Sequence, residues 1–142
     1  KENSIEIAKI GITAPIVIPD GTTDSDFDKA LKKGVAHFPG SPLPGESGLS
    51  ILLGHSAPSG YPKIDYDWIF SNINELEEGD EIIIYFNNAE HKYRVTDKIF
   101  LEVGEQVRPQ NEIGSRSEII LLSCWPPGRN IQRIGVRGVI IS

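Results

Sequence analysis

The sequence predicts an all-β fold of about seven or eight strands joined by turns and two short helical pieces. Short apolar or alternating runs recur along the chain, and clusters of Gly, Pro, Asn and Asp separate them. Such a set of strands closes best as a barrel or a sandwich. The sequence has no internal repeat and no domain boundary, so we expect residues 1–142 to form a single domain.

The predicted strands share β-branched and aromatic residues or an alternation of polar and apolar side chains. They are residues 5–10, 14–18, 35–38, 49–55, 81–86, 90–101, 118–123 and 134–141. The segment 49–55 is almost continuously apolar, which indicates a central strand. Asn87 and Asn88 predict a hairpin turn between two of the strands.

The remaining segments are predicted to be helical or irregular. Asp24 or Ser25 is expected to cap a short helix that stops at Gly34. A second helical spacing relates four apolar residues, which are Trp68, Ile69, Ile73 and Leu76. Residues 39–48 contain three prolines and three glycines and predict a rigid loop, whereas residues 103–117 have no regular pattern.

On strand 90–101, the alternation places Tyr93, Val95 and Ile99 on one face.

Composition excludes several classes of function. The formal net charge is −6 and no block of basic residues occurs, so we expect no nucleic-acid partner and no face for anionic lipid. One cysteine excludes an internal disulfide and a Cys-rich zinc site, and we expect neither metal nor cofactor. No run approaches the roughly 18 apolar residues of a membrane span. Because the sequence starts at Lys1 and has no Met, we expect that a signal or anchor segment has been removed.

Three chemically active residues stand at the ends of predicted strands. Cys124 closes one apolar run, His55 closes another, and Arg133 opens the strand that follows Cys124. A thiolate is a nucleophile whose pKa falls beside positive charge, an imidazole can protonate a leaving amine, and a guanidinium can donate to an oxyanion. The three residue types therefore point to acyl transfer on a thiol.

Each of the three residues also has an ordinary structural interpretation. A lone Cys124 can be a small buried hydrophobe, Arg133 can be a solvated surface residue, and His55 can cap a turn. The wider set of motifs favours the catalytic interpretation.

Those motifs resemble the sortases, the cysteine transpeptidases of bacterial surfaces. The family has a strand that ends Thr-Leu-x-Thr-Cys and an Arg on the next strand, where this chain has residues 120–124 and Arg133. Further matches in family order are Gly34-Val35-Ala36-His37-Phe38-Pro39-Gly40-Ser41, Pro44-Gly45-Glu46-Ser47-Gly48, Leu53-Gly54-His55-Ser56 and Leu76-Glu77-Glu78-Gly79-Asp80-Glu81-Ile82-Ile83. Ile120 and Ser123 depart from the two Thr of the signature. The residues after Cys124 and the lack of an N-terminal lid motif resemble a lid-less branch outside the housekeeping class.

The resemblance implies a closed eight-stranded barrel with catalytic residues Cys124, His55 and Arg133. Cys124 would attack a sorting signal such as LPxTG, His55 would protonate the departing amine, and Arg133 would hold the substrate or the oxyanion. Ser123, Trp125 and Ser56 are expected to contact the substrate.

The resemblance also implies partners and a location. The thioacyl group would pass to an amine of peptidoglycan or pilin, and the enzyme would act as a monomer anchored at the extracytoplasmic face of the bacterial membrane.

Three other functions remain open from the sequence. A thiol hydrolase would use the same residues with water as the acceptor. A non-catalytic peptide-binding module and a redox-sensing thiol protein would not need Cys124, His55 and Arg133 to act together.

Overall fold

The computed structural model describes residues 2–105 and 116–142 and contains a closed barrel of eight strands. Around the barrel the order of strands is β1-β2-β3-β4-β7-β8-β6-β5. In chain order, the strands β1 to β8 are Ser4–Ile7, Ile12–Val17, Val35–His37, Gly48–Leu53, Glu81–Phe86, Ala89–Glu102, Ser117–Trp125 and Gln132–Ile140. The predicted all-β class and the closed eight-stranded barrel are confirmed.

Two strand pairs are parallel and the others are antiparallel. β2 runs parallel to β3, and β4 runs parallel to β7 over the full length of β4. β7 pairs with β8 on its other side, in an antiparallel register. In the middle of β7 both faces are buried at Ile119, Ile120 and Leu121, which is why this part of its sequence is continuously apolar.

The interior of the barrel is filled by alternate side chains of the strands. Leu52 of β4, Leu121 of β7 and Val136 of β8 are fully buried there, together with Phe70 from the β4–β5 connection. Side chains at the intervening positions of these strands face away from this core. The barrel therefore has no internal channel at this level, and any groove must lie on its outer face.

The helix α1 (Asp24–Lys33) begins one or two residues earlier than the two predicted cap positions indicate. The cap is Thr23 and not Asp24 or Ser25, because the Thr23 hydroxyl accepts from the Asp26 N–H while the Asp26 carboxylate accepts from the Thr23 N–H. This reciprocal arrangement satisfies two donors at once. The hydrogen bond from Thr23 also lowers the pKa of the Asp26 carboxyl.

Several predicted segments have different bounds in the structure. The first strand stops at Ile7 and is followed by a 3-10 turn, Ala8–Ile10, which ends at Gly11 with φ of 68°. The helical spacing of residues 68–76 yields only a 3-10 turn, Ile73–Glu75, because the preceding residues form irregular turns. β5 has the predicted bounds, and the Asn87-Asn88 turn has the positive φ values expected of a hairpin, 52° and 65°. The predicted irregular segment 103–117 lies mostly outside the described residues.

A bulge in β6 changes which face its side chains occupy. Val95 pairs with Gly138 and Asp97 pairs with Arg137, so Thr96 is the extra residue. Tyr93 and Val95 point into the core before the bulge. An extra residue reverses the alternation, so the prediction that Ile99 shares their face is wrong.

The hydroxyl of Tyr93 joins the start of β7 to the loop before β4. It accepts a hydrogen bond from the Gly45 N–H at 2.9 Å and shares another with Ser117 Oγ at 2.7 Å. Burial raises the pKa of Tyr93, whose ring is completely inaccessible to solvent.

We predict that Tyr93→Phe lowers the free energy of unfolding by about 1–3 kcal/mol, because the variant leaves the buried Ser117 hydroxyl without this hydrogen bond and removes the acceptor of the Gly45 N–H. Denaturant unfolding measures the change. Tyr61→Phe is the matched control, since Tyr61 is 67% exposed and its hydroxyl contributes little. Equal stabilities of the two variants would contradict the buried network.

Candidate active site

The register of β7 and β8 places Cys124 and Arg133 side by side. They are Cα partners in the antiparallel pair, and paired residues present their side chains on the same face. Ile134 next to Arg133 points into the core, so Arg133 and Cys124 point outward. The active-site candidates therefore lie on the outer face of the barrel.

The parallel pairing of β4 with β7 brings His55 to the same place. Leu53 is the partner of Leu122, and the Gly54 N–H continues the ladder by donating to the Leu122 carbonyl at 3.1 Å. His55 lies two residues after Leu53, and Cys124 lies two residues after its partner Leu122. Because side chains alternate along a strand, both point to the outer face.

Two side-chain hydrogen bonds reinforce this ladder. On the core side, the Ser123 hydroxyl donates to the Gly54 carbonyl at 2.7 Å. Past the ends of the strands, the Ser56 hydroxyl donates to the Cys124 carbonyl at 3.2 Å. We call the three contacts between residues 54–56 and 122–124 the strand-end interlock. It fixes the backbone on both sides of His55 against the backbone that carries Cys124.

The interlock requires glycine at position 54. A Cβ atom there would lie 2.4 Å from the ring of Phe70, which belongs to the core. The Phe70 N–H also donates to the His55 carbonyl at 2.9 Å. The backbone of His55 is thus attached to the core as well as to β7.

Ser56 also holds the loop between β7 and β8. Its hydroxyl accepts from the Gly128 N–H at 2.9 Å, and Gly128 packs so closely on Pro58 that an added Cβ would lie 2.4 Å from the proline ring. At the far end of this loop, the Asn130 side chain accepts a hydrogen bond from Arg133 at 2.6 Å. The loop therefore positions the guanidinium at the side of Cys124.

Cys124, His55 and Arg133 line one open pocket of about 310 Å³, which we call the Cys124 pocket. Its floor and walls include four leucines, and Glu105 is its one carboxylate among the described residues. The described lining residues are Leu31, Leu53, Gly54, His55, Leu101, Gly104, Glu105, Leu122, Ser123, Cys124 and Arg133. The pocket is mostly apolar around a thiol, an imidazole and a guanidinium.

The leucines were not identified as site residues from the sequence. Leu31 belongs to α1, and its spacing from Phe27 shows an apolar helix face without indicating what that face covers. Leu101 pairs with Arg133 only because of the Thr96 bulge. Leu53 and Leu122 face the pocket by strand alternation, a signal that the sequence did contain.

The three predicted substrate contacts occupy different positions. Ser123 lines the Cys124 pocket, although its hydroxyl is bonded to Gly54. The Ser56 hydroxyl is hydrogen-bonded to the Cys124 carbonyl and to the Gly128 N–H. Trp125, still within β7 rather than beyond it as predicted, packs against the core with its ring centroid 5.5 Å from that of Phe100. The Ser123 and Trp125 side chains therefore share the face of β7 that is opposite to the Cys124 side chain, although Ser123 still lines the pocket.

Comparison with known proteins identifies the family of the chain. The family model of the sortase domain matches residues 5–141. Sortase D of Bacillus subtilis is 31% identical over 124 residues, which are 86% of this chain and 53% of that protein. The chain thus spans about half the length of this curated relative.

Solved structures show the same fold. Sortase C-1 from Actinomyces oris superposes with a TM-score of 0.76 at 28% identity, covering 99% of this chain and 73% of that one. Clostridium perfringens sortase C, solved with the C-terminal cell wall sorting motif, superposes with a TM-score of 0.77 at 29% identity. The match covers 98% of this chain and 69% of that one.

The chain is a closed eight-stranded β-barrel with a thiol, an imidazole and a guanidinium at one outer pocket. Among barrels of this kind it belongs to the sortase family, which confirms the resemblance found in the sequence.

We predict that Ser56→Ala accelerates hydrogen exchange of the Gly128 amide about tenfold, because the variant removes the acceptor that protects this N–H. Exchange followed by NMR measures the rate. Ser56→Thr keeps the hydroxyl and should preserve the protection, and Ser59→Ala serves as a control in the same loop. Unchanged exchange in Ser56→Ala would show that the hydroxyl does not hold the loop.

Proposed function

We propose that this chain is the catalytic domain of a cysteine transpeptidase that cleaves a sorting-signal peptide and transfers the acyl part to an amine. The observation that carries the proposal is the convergence of Cys124, His55 and Arg133 on one pocket. Membership of the sortase family supports the same activity.

The first half-reaction forms a thioester. The Cys124 thiolate attacks the carbonyl carbon of the scissile peptide bond, and the carbonyl oxygen becomes an oxyanion. When the tetrahedral intermediate collapses, the C–N bond breaks and His55 gives a proton to the departing amine. The peptide remains attached to Cys124 as a thioacyl group.

Arg133 is proposed to stabilise the negative charge or to orient the substrate. It is the Cα partner of Cys124, so its side chain reaches the reacting carbonyl from the neighbouring strand. A planar guanidinium can give one N–H to Asn130 and direct others to an oxyanion. We assign this role to Arg133 rather than to Arg137, which is paired with Asp97.

The substrate class follows from the pocket's lining. Leu31, Leu53, Leu101 and Leu122 form apolar walls suited to the apolar residues of an LPxTG-like signal. The predicted contacts of Ser123, Ser56 and Trp125 remain predictions. Since the Ser123 and Ser56 hydroxyls are already bonded within the protein, their contacts to a peptide would be made by backbone groups.

In the second half-reaction an amine from peptidoglycan or pilin attacks the thioester. We propose that the enzyme acts at the extracytoplasmic face of the bacterial membrane. No helix within residues 2–105 and 116–142 has the length and apolarity that crossing a bilayer requires. If water replaces the amine, the same pocket acts as a thiol hydrolase.

A library of sorting-signal peptides, with mass spectrometry of the intact protein, tests the proposal. We predict that the wild-type chain gains the mass of an acyl fragment on Cys124 and that Cys124→Ala, which keeps the fold but cannot form a thioester, gains none. Added amine should divert the acyl group from hydrolysis. If Cys124→Ala cleaved peptides at the wild-type rate, the enzyme assignment would be wrong.

Arg133→Lys should lower turnover about tenfold to a thousandfold, because an ammonium lacks the directed fork of the guanidinium. Steady-state cleavage of a fluorogenic sorting peptide measures the loss. Arg129→Ala is the control, since Arg129 lies exposed in the same loop. A neutral Arg133→Lys beside a severe Arg129→Ala would move the role to Arg129.

A further inference from the structure

A second pocket lies next to the strand-end interlock, on the side of the residues that follow His55. It encloses about 300 Å³ between the β4–β5 connection, the turn after β1 and the β7–β8 loop. We call it the Lys63 pocket because Lys63 lines it. Its lining also includes Ala57, Pro58, Tyr61, Trp68 and Pro127. None of the described residues that line it lines the Cys124 pocket.

The two pockets are lined by neighbouring residues of the same two segments. Ala57 and Pro58 of the Lys63 pocket follow His55 and Ser56 directly, and Pro127 follows Cys124 by three residues. The Ser56–Gly128 hydrogen bond and the packing of Gly128 on Pro58 hold these two segments together. A molecule seated in the Lys63 pocket is therefore beside both the His55 strand and the loop that follows Cys124.

The Lys63 pocket differs chemically from the Cys124 pocket, whose walls include four leucines. Lys63 is the only charged side chain among its described lining residues. The Lys63 ammonium lies 4.5 Å from the centroid of the Trp68 ring, and the Trp68 indole is itself fixed by donating to the Asp65 carbonyl at 3.0 Å. A π face attracts a cation without neutralising it, so the ammonium is positioned and keeps its charge for an anionic group.

We infer that the Lys63 pocket receives the amine acceptor and that Lys63 binds a carboxylate of that acceptor; the inference rests on the proposed transpeptidase function. The acyl donor occupies the Cys124 pocket, so the second substrate needs another approach to the thioester. The inference requires one small molecule to carry a carboxylate at Lys63 and an amine near Cys124, and an extended tripeptide, which spans about 10 Å, is a suitable probe.

The transfer step is balanced by the groups already assigned. The neutral amine attacks the thioester carbonyl carbon, a C–N bond forms and the C–S bond breaks. The Cys124 sulfur leaves as thiolate, and the proton lost by the attacking amine passes to His55. Lys63 takes no part in the bond changes and acts only in binding.

The test compares triglycine with triglycinamide, which differ in the C-terminal carboxylate. For wild type we expect half-maximal aminolysis at a lower concentration of triglycine than of triglycinamide. Lys63→Gln should raise the triglycine concentration that gives half-maximal aminolysis about three- to tenfold, the scale of losing a partly solvated charged hydrogen bond. Because both amines are compared on the same variant, a change in thioester formation cancels.

Lys63→Arg should keep the preference for triglycine, and Lys33→Gln, which removes an exposed lysine of α1, should leave it at the wild-type value. The inference would be overturned if triglycine and triglycinamide had equal half-maximal concentrations in wild type. It would also be overturned if Lys63→Gln kept the wild-type ratio of the two concentrations. A wild-type enzyme that hydrolyses the thioester and accepts neither amine would overturn it as well.

A binding measurement separates this inference from the proposed function. In ¹⁵N-labelled Cys124→Ala protein, triglycine should shift the Trp68 indole N–H signal, triglycinamide should not, and Lys63→Gln should abolish the shift. A shift without any thioester in wild type would leave the site standing and remove the transpeptidase assignment. Thioester formation with no triglycine-dependent shift would overturn the site alone.

Discussion

The strand-end interlock is the constraint on which the rest of the candidate site depends. Gly54 donates to Leu122, Ser123 donates to Gly54, and Ser56 donates to Cys124. These bonds couple two strands that are far apart in sequence but parallel in space, and they end at the residues that carry the imidazole and the thiol. Rigid backbone at that point limits how far the two side chains can separate, and the proposed proton transfer from His55 to the amine departing from the Cys124 adduct requires this proximity.

The barrel carries its chemistry on its outside because its inside is full. Large side chains such as Tyr93 and Phe70 occupy the interior, so alternation sends every second residue of β7 and β8 outward. The Thr96 bulge extends this outer surface to β6, since it turns Ile99 and Leu101 toward the face that carries Arg133. Gly135 of β8 leaves room for the side chains of the neighbouring strands on this face. An added Cβ at Gly135 would lie 2.8 Å from Ile120 and 3.1 Å from Ile99.

The sequence predicts the framework well because strand periodicity is a local property. β5 and the Asn87-Asn88 hairpin follow directly from alternation and turn chemistry, and Cys124, His55 and Arg133 stand out because each closes or opens an apolar run. The sequence cannot show that β4 and β7 are parallel neighbours, because that pairing is non-local.

Other features depend on contacts that no local pattern encodes. Thr96 looks like any other residue of a long strand, so the reversal of faces beyond it is invisible in sequence. Leu31 shows only that α1 has an apolar face, and the barrel decides that this face borders the Cys124 pocket. Thr23 could have been identified as the helix cap, because the Thr-x-x-Asp spacing resembles a capping box, but the neighbouring Asp24 and Ser25 are equally good caps by composition.

The central claim is that the parallel register sets His55 directly beside Cys124. Neighbouring strands lie about 4.8 Å apart, within the Cα separation that a disulfide spans, whereas a residue two positions earlier lies about 8 Å away. Cys124 is the only cysteine of the chain, so His55→Cys and Leu53→Cys each contain one possible pair. After mild oxidation, alkylation and mass spectrometry count the remaining thiols. The account predicts no free thiol in His55→Cys and two in Leu53→Cys. Two free thiols in His55→Cys would contradict it.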